Sequence, residues 1–306
     1  VYLGFGTGFG GQMSLEQAAK WAAEHGFQAL EINVGPTYWQ QGPDIIDLAQ
    51  VVREGPALVR ETLDRYGVFI AAIAPQLNLL APDLALRESY LGYFRLVIDA
   101  CSILNVPIAK TYAGSAFGMY FLGLPSVGQD HPSNRLAENV AEFRQVFTTL
   151  AQYAEDKGVR IAFETAPRGG GHGNLAFSPF LWDIIFDAVP SPALGLAFDP
   201  SHLIWLFACS PEEAVRAYGE RICYVDGKDT VILPERLRHQ GILGNSWWRY
   251  CLPGAGEVNW GKLIPALRSV GYDYVIAVEN EDEIYPGLVG TAMAGRYLAS
   301  LLSGAG

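Results

Sequence analysis

The chain has 306 residues, of which 50% are hydrophobic and 17% charged, a balance that excludes a disordered segment and supplies a large core. Its formal net charge of -11 and the lack of any Lys/Arg run exclude a nucleic-acid surface, because phosphate recognition rests on clustered cations. No apolar stretch reaches the roughly 18 residues that suggest a membrane span, so no membrane partner is expected, and neutral or metal-bridged small molecules are the natural substrates.

From Val1 onward, short β-rich runs alternate with longer segments of helical period, which is the mark of a parallel sheet wrapped by helices. A first strand is predicted at Tyr2 to Gly6, followed by a helix at Leu15 to His25; the second pair is Ala29 to Val34 and Pro56 to Tyr66. The third is Val68 to Ala74 with Leu84 to Leu104, the fourth Pro107 to Tyr112 with Arg135 to Lys157, and the fifth Val159 to Glu164 with Pro179 to Ala188. Leu194 to Asp199 with Pro211 to Tyr218, Ile222 to Gly227 with Trp260 to Val270, and Tyr274 to Glu279 with Leu288 to Leu301 complete the set. Eight such units predict an α/β fold, a (β/α)8 TIM barrel, for which about 250 residues is typical.

Local signals agree with this division. Ser14, Ser133 and Ser210 stand where helix N-caps belong, the last followed by Pro211 at the first helical position. Gly26, Gly67, Gly158 and Gly271 each stand between a helix and the next strand, as C-terminal caps do. No linker divides residues 1–306, so one barrel domain is expected, with longer insertions at 113–132 after strand four and 230–257 after strand seven. Both follow strand C-termini, the face on which barrel enzymes build their sites. Cys101, Cys209, Cys223 and Cys251 lack CxxC spacing and have mostly apolar neighbours, the pattern of free thiols in a reducing, cytoplasmic compartment.

The chemistry lies at four consecutive strand ends. IAFE ends on Glu164, GLAFD on Asp199, CYVD on Asp226 and IAVE on Glu279. In a closed barrel these ends are neighbours, so the carboxylates converge near the axis and call for a cation. The alternative for any one of them is an N-cap to the following helix. Oxygen-only donors favour Mg or Mn, admit Co, and disfavour Zn.

His202 lies three residues beyond Asp199, where its imidazole either reaches a bound ligand or the metal or hydrogen-bonds the backbone of a helix start. Lys110 ends strand four on the same face, to polarise a carbonyl, hold an anion, or snorkel to solvent. Lys228 and Asp229 form a candidate supporting ion pair. The glycine-rich stretch Gly169 to Asn174 lacks the residues of a phosphate loop and reads as a βα loop with His172 at its tip. Tyr38, Trp39, Tyr112, Trp247 and Trp248 suit either a sugar-stacking mouth or plain packing, while Gln76 and Asn78 are candidate hydrogen-bonding groups beside the substrate.

The runs GLAFDPSHL, RICYVDGKDT, PGAGEVNW and VIAVENED together resemble the xylose-isomerase-like barrel superfamily of sugar isomerases and epimerases. The resemblance implies one divalent metal held by Glu164, Asp199 and Glu279 with a further ligand from strand seven. At that strand many relatives have the His of an HxKD motif, whereas this chain has Asp226. It also implies substrate contact by His202, and Glu164 and Glu279 as the acid/base pair. The implied reaction is isomerisation or epimerisation of a carbohydrate or polyol, with the metal stabilising an enediolate. Three alternatives share the barrel: a metal-dependent lyase on oxidised glycosides resembling the C-glycoside deglycosidase subunits, a phosphodiesterase resembling endonuclease IV, and a non-catalytic sugar-binding protein. The acidic chain and its five histidines disfavour the second. The exposed insertions leave room for a homo-oligomer.

Overall fold

Eight apolar runs become parallel strands that close on themselves in the computed structural model, which describes residues 1–35, 44–117, 135–167, 173–242 and 244–304. The eight barrel strands are β1 (Tyr2–Gly6), β2 (Ala29–Asn33), β3 (Phe69–Ala74), β4 (Ile108–Thr111), β5 (Arg160–Glu164), β6 (Leu194–Phe198), β7 (Ile222–Gly227) and β10 (Val275–Val278), while β8 (Asp229–Ile232) and β9 (Trp248–Cys251) form a separate ribbon. Around the barrel the order is β1, β10, β7, β6, β5, β4, β3, β2, and the ring is closed. The chain is therefore a (β/α)8 TIM barrel, and each predicted strand matches an observed one to within a residue at either end.

The predicted helices also form: α1 (Leu15–Glu24), α3 (Ala57–Tyr66), α4 (Leu84–Leu104), α5 (Leu136–Asp156), α6 (Pro179–Ala188), α8 (Pro211–Tyr218), α10 (Trp260–Ser269) and α11 (Gly287–Ser303). Ser14 and Ser210 each complete a reciprocal capping box, with Gln17 and Glu213, satisfying amide groups that a helix start leaves unpaired. Ser133 lies outside the described residues. Gly26, Gly67, Gly158 and Gly271 all have positive φ, a conformation glycine adopts without the strain most side chains would bring, so the chain reverses readily into the next strand.

Three short helices were not anticipated: α2 (Leu48–Glu54), α7 (Pro200–Trp205) and α9 (Pro234–Gln240). The 230–257 insertion is not loop throughout, because β8 and β9 pair antiparallel, with Asp229 opposite Cys251 and Ile232 opposite Trp248, and α9 lies between them. Much of the 113–132 insertion falls outside the described residues.

Strand alternation sorts the side chains into two layers. Leu30, Ile32, Ile161, Phe163, Leu196, Phe198, Ile276 and Val278 face outward into the main core beneath the helices. Ala29, Ala162, Ala197, Tyr224, Val275 and Ala277 face the lumen, in a second and smaller cluster. The residue two positions after a lumen residue points the same way, one layer nearer the strand C-termini. Ala162 thus leads to Glu164, Ala197 to Asp199, Tyr224 to Asp226, Ala277 to Glu279, Ala29 to Glu31 and Ile108 to Lys110. A floor built largely of small side chains leaves room for a charged layer above it.

Candidate active site

All six of these polar residues are buried, with Lys110, Asp199 and Asp226 fully so. Lys110 Nζ donates to Asp226 Oδ1 at 2.7 Å and to Glu31 Oε2 at 3.3 Å. It also lies 3.0 Å from Glu164 Oε2 and 3.9 Å from Glu279 Oε2. Lys228 Nζ donates to Glu281 Oε1 at 2.8 Å and lies 2.9 Å from Asp199 Oδ2 and 3.3 Å from Glu279 Oε2. The expected Lys228 and Asp229 pair is replaced: Lys228 turns to these acids, and Asp229 accepts from the backbone N–H groups of Thr230, Val258 and Gly254.

Asp199 serves as an N-cap, as one of its two readings had it, and keeps its second oxygen for the site. Its Oδ1 accepts from Ser201 N at 2.8 Å and caps α7, while its Oδ2 faces the charged layer. His202, on the first turn of α7, has its Nδ1 3.0 Å from the Tyr250 hydroxyl. Its Nε2 stands 3.0 Å from Asp199 Oδ2 and 3.7 Å from Glu164 Oε1.

Six carboxylates thus face two ammoniums. Burial works against charge on Glu164, Asp199, Asp226, Glu279, Lys110 and Lys228, and the balance differs by residue. Burial pushes Glu279 up to about 8, with Glu164 and Glu281 adding to the rise against Lys228 and Lys110. Asp226 is driven well above the usual carboxylate range by burial and its acid neighbours, despite Lys110. For Glu164 and Asp199 burial is outweighed, by Lys110 chiefly in the first and by His202 and Lys228 in the second, and both are held below the usual range. Carboxylates likewise outweigh burial at Lys110 and Lys228 and hold them charged.

Glu164 Oε1 and Oε2, Asp199 Oδ2, Asp226 Oδ2, Glu279 Oε2 and His202 Nε2 are buried without a hydrogen-bond partner. Six carboxylates against two ammoniums leave negative charge in excess, and buried anions are costly unless a further cation or donor satisfies them. Two sets bring three ligand atoms within 4.8 Å of one another, Glu164 with Asp199 and His202, and Glu164 with Asp226 and Glu279. The residues present therefore fit a divalent cation, and a His whose other nitrogen is fixed by a neighbour is the usual form of an imidazole ligand.

Above this layer opens a cavity of about 420 Å³. Glu164, His202, Lys228, Glu279 and Glu281 form its polar side, and Phe9, Tyr112, Trp205, Trp248 and Tyr250 its aromatic side. Trp205 and Trp248 stack with centroids 4.2 Å apart and planes at 6°. Trp247 takes the packing role of its two readings: it is buried, donates to Ile242 O and stacks on Phe207. Gln76 lines the cavity. Asn78 is not among the lining residues, because its amide is spent on the backbone of Leu80 and Ser115. Lys110 is likewise beneath the cavity, enclosed by its four acids. Trp39 and His172 lie outside the described residues.

Glu31, Glu281, Trp205 and Tyr250 were not anticipated. A signal for Glu31 exists: ALE at 29–31 repeats the alanine, apolar residue, acid pattern of AFE at 162–164, AFD at 197–199 and AVE at 277–279.

The family described as the xylose isomerase-like TIM barrel matches residues 19–299. The chain is 23% identical over 294 residues to the Bacillus subtilis protein YfiH, covering 89% of this chain and 90% of that one. Among solved structures, a Methylomonas D-allulose 3-epimerase in complex with D-allulose superposes with a TM-score of 0.66 at 21% identity, over 99% of this chain and 97% of that one. A probable 3-DHS dehydratase, AsbF of Bacillus anthracis, gives 0.69 at 14% identity over 100% of both chains. At these identities the structural likeness establishes the fold.

Proposed function

Since the chain belongs to the xylose isomerase-like TIM-barrel family, we propose that it is a divalent-metal-dependent sugar isomerase or epimerase that moves a proton through an enediolate. The observation that carries this reading is the group of carboxylate oxygens and one imidazole nitrogen that accept or donate no hydrogen bond on the floor of an aromatic-walled cavity. Glu164 is common to both possible donor sets, with Asp199 and His202 completing one and Asp226 and Glu279 the other. The oxygen-rich donors favour Mn or Mg. When bound, the ion supplies Lewis-acid stabilisation to adjacent oxygens of the substrate.

The chain's own groups supply the rest. Glu164 and Glu279 both reach the cavity and are the proposed acid/base pair, moving the proton at the carbon beside the carbonyl. Lys228 stands beside Glu279 on the same wall and offers a positive charge where negative charge develops on substrate oxygen. Trp205 and Trp248 present an apolar wall suited to the face of a sugar ring, and Gln76 offers an amide to a hydroxyl. D-allulose in the Methylomonas enzyme makes an unphosphorylated ketose the first substrate to try.

The experiment is proton exchange. Chelator-stripped protein, with and without Mn²⁺, is incubated in D2O with ketohexoses and ketopentoses and followed by ¹H NMR. Metal-dependent deuterium incorporation beside the carbonyl, with epimer or aldose signals, is expected. Absence of exchange with every sugar in the metal-loaded protein would sink the reading, and release of an eliminated group would move it to a lyase.

A further inference from the structure

The two possible donor sets are not equally open, and the difference rests on one side chain. Lys110 Nζ stands 3.0 Å from Glu164, 2.7 Å from Asp226 and 3.9 Å from Glu279, so it contacts all three members of the second set. Its side chain has no exposure and does not line the cavity. Both of its hydrogen bonds go to Asp226 and Glu31, on strands β7 and β2 across the barrel. Glu31 in turn accepts from Asn33 Nδ2 at 3.1 Å. The ammonium is thus held from two sides of the barrel.

The first set has no such permanent tenant. His202 Nε2, Asp199 Oδ2 and Glu164 Oε1 meet without hydrogen bonds, and Glu164 and His202 both face the cavity. Lys228 lies 2.9 Å from Asp199 Oδ2, but its hydrogen bond is to Glu281, whose side chain is 27% exposed at the mouth. Lys228 lines the cavity beside Glu281, whereas Lys110 does not reach it.

We propose that Lys110 is a built-in cation filling the Glu164, Asp226 and Glu279 set, so that Asp226 serves the lysine and one divalent ion binds at Glu164, Asp199 and His202. This rests on the metal-dependent reading above. Lys110 and Asp226 are positioning residues in this arrangement. They hold Glu164 so that Oε2 faces the ammonium and Oε1 the ion. An aspartate at the strand-seven position is tolerated because its charge is matched inside the protein rather than by the metal.

The test is calorimetric titration of chelator-stripped protein with MnCl2, independent of turnover. One equivalent is expected for the unaltered chain. Asp199→Asn removes a ligand and should abolish measurable binding, whereas Asp226→Asn leaves all three ligands in place and should weaken binding less, by the roughly 10- to 100-fold typical of a residue that positions a ligand. Lys110→Met should open the second set and raise the stoichiometry from one to two. Removing one partner of a buried pair is strongly destabilising, whereas removing both is often neutral; if the single variants fail to fold, Lys110→Met combined with Asp226→Leu must still bind one equivalent. Loss of binding in Asp226→Asn or in the double variant equal to that in Asp199→Asn overturns the assignment while leaving metal dependence standing. No binding by the unaltered chain overturns both.

Discussion

At the residue scale, the carboxylates differ because their surroundings differ, not because of residue type. Asp199 divides its two oxygens between a helix cap and the site, and Asp226 gives one to a lysine. Glu279 reaches the cavity and makes no hydrogen bond through Oε2. Glu279→Gln should therefore keep the fold, with an unchanged circular dichroism spectrum, and lower kcat by about 10² or more, the usual contribution of a positioned proton-transfer group; activity within a few fold of the parent would remove Glu279 from the acid/base pair. The four strand-end acids were legible because each closes an apolar run. Glu31 was not, since Ile32 and Val34 continue the run beyond it and hide the lumen-facing periodicity. The partners of Lys110 were illegible for another reason: they come from four separate strands, and only closure of the barrel brings them together.

At the level of elements, barrel strands and long helices carry periodic signals, whereas α7 and the β8 and β9 ribbon do not. The helix α7 is six residues long and follows β6 with only Asp199 between, too short for a recognisable period. The ribbon pairs residues about twenty apart around an intervening helix, so no tight-turn signal marks it. Yet these elements bring Trp205, Trp248 and Tyr250 to the cavity. Trp248→Ala should raise KM for a sugar substrate several fold, with a smaller effect on kcat, if the wall binds the ring; a fall in kcat alone would assign it to the chemistry instead.

Helices α4 and α5 are tied by Asp99, which accepts from Tyr153 Oη at 2.7 Å and lies 2.7 Å from Lys157 Nζ. Burial tends to raise the Asp99 pKa, but Lys157 and Tyr153 outweigh it and hold it below 3.8. A depressed folded-state pKa gives stability that is present above the unfolded value and lost as pH falls through the folded one. Urea unfolding should therefore show Asp99→Asn less stable than the parent near neutral pH, by under about 1 kcal/mol for so partly exposed a pair. The gap should close in acid, and a gap that widened there would refute the assignment.

Across the whole molecule, closure of eight parallel strands does two things at once: it removes sheet edges and gathers acids that lie more than a hundred residues apart in sequence. The gathered charge is a cost to the folded state, which the proposed cation would offset. Saturating Mn²⁺, at about a hundred times its Kd, should add about 2.7 kcal/mol and raise Tm by roughly 5 °C, with chelator reversing the rise. An unchanged Tm would mean that the acids are satisfied within the protein. Among the described residues no helix is long and apolar enough to cross a membrane. Cys101, Cys209, Cys223 and Cys251 are all free, the first, third and fourth buried, in keeping with the scattered spacing of thiols in the sequence.

The stacked indoles of Trp205 and Trp248 also have an optical consequence. Two parallel chromophores at van der Waals distance couple their transitions, and they do so on the wall where substrate would enter. A molecule settling against that wall alters the coupling before any bond in it changes. The near-ultraviolet dichroism and tryptophan emission of the chain thus form an intrinsic gauge of occupancy, legible without label, metal or turnover.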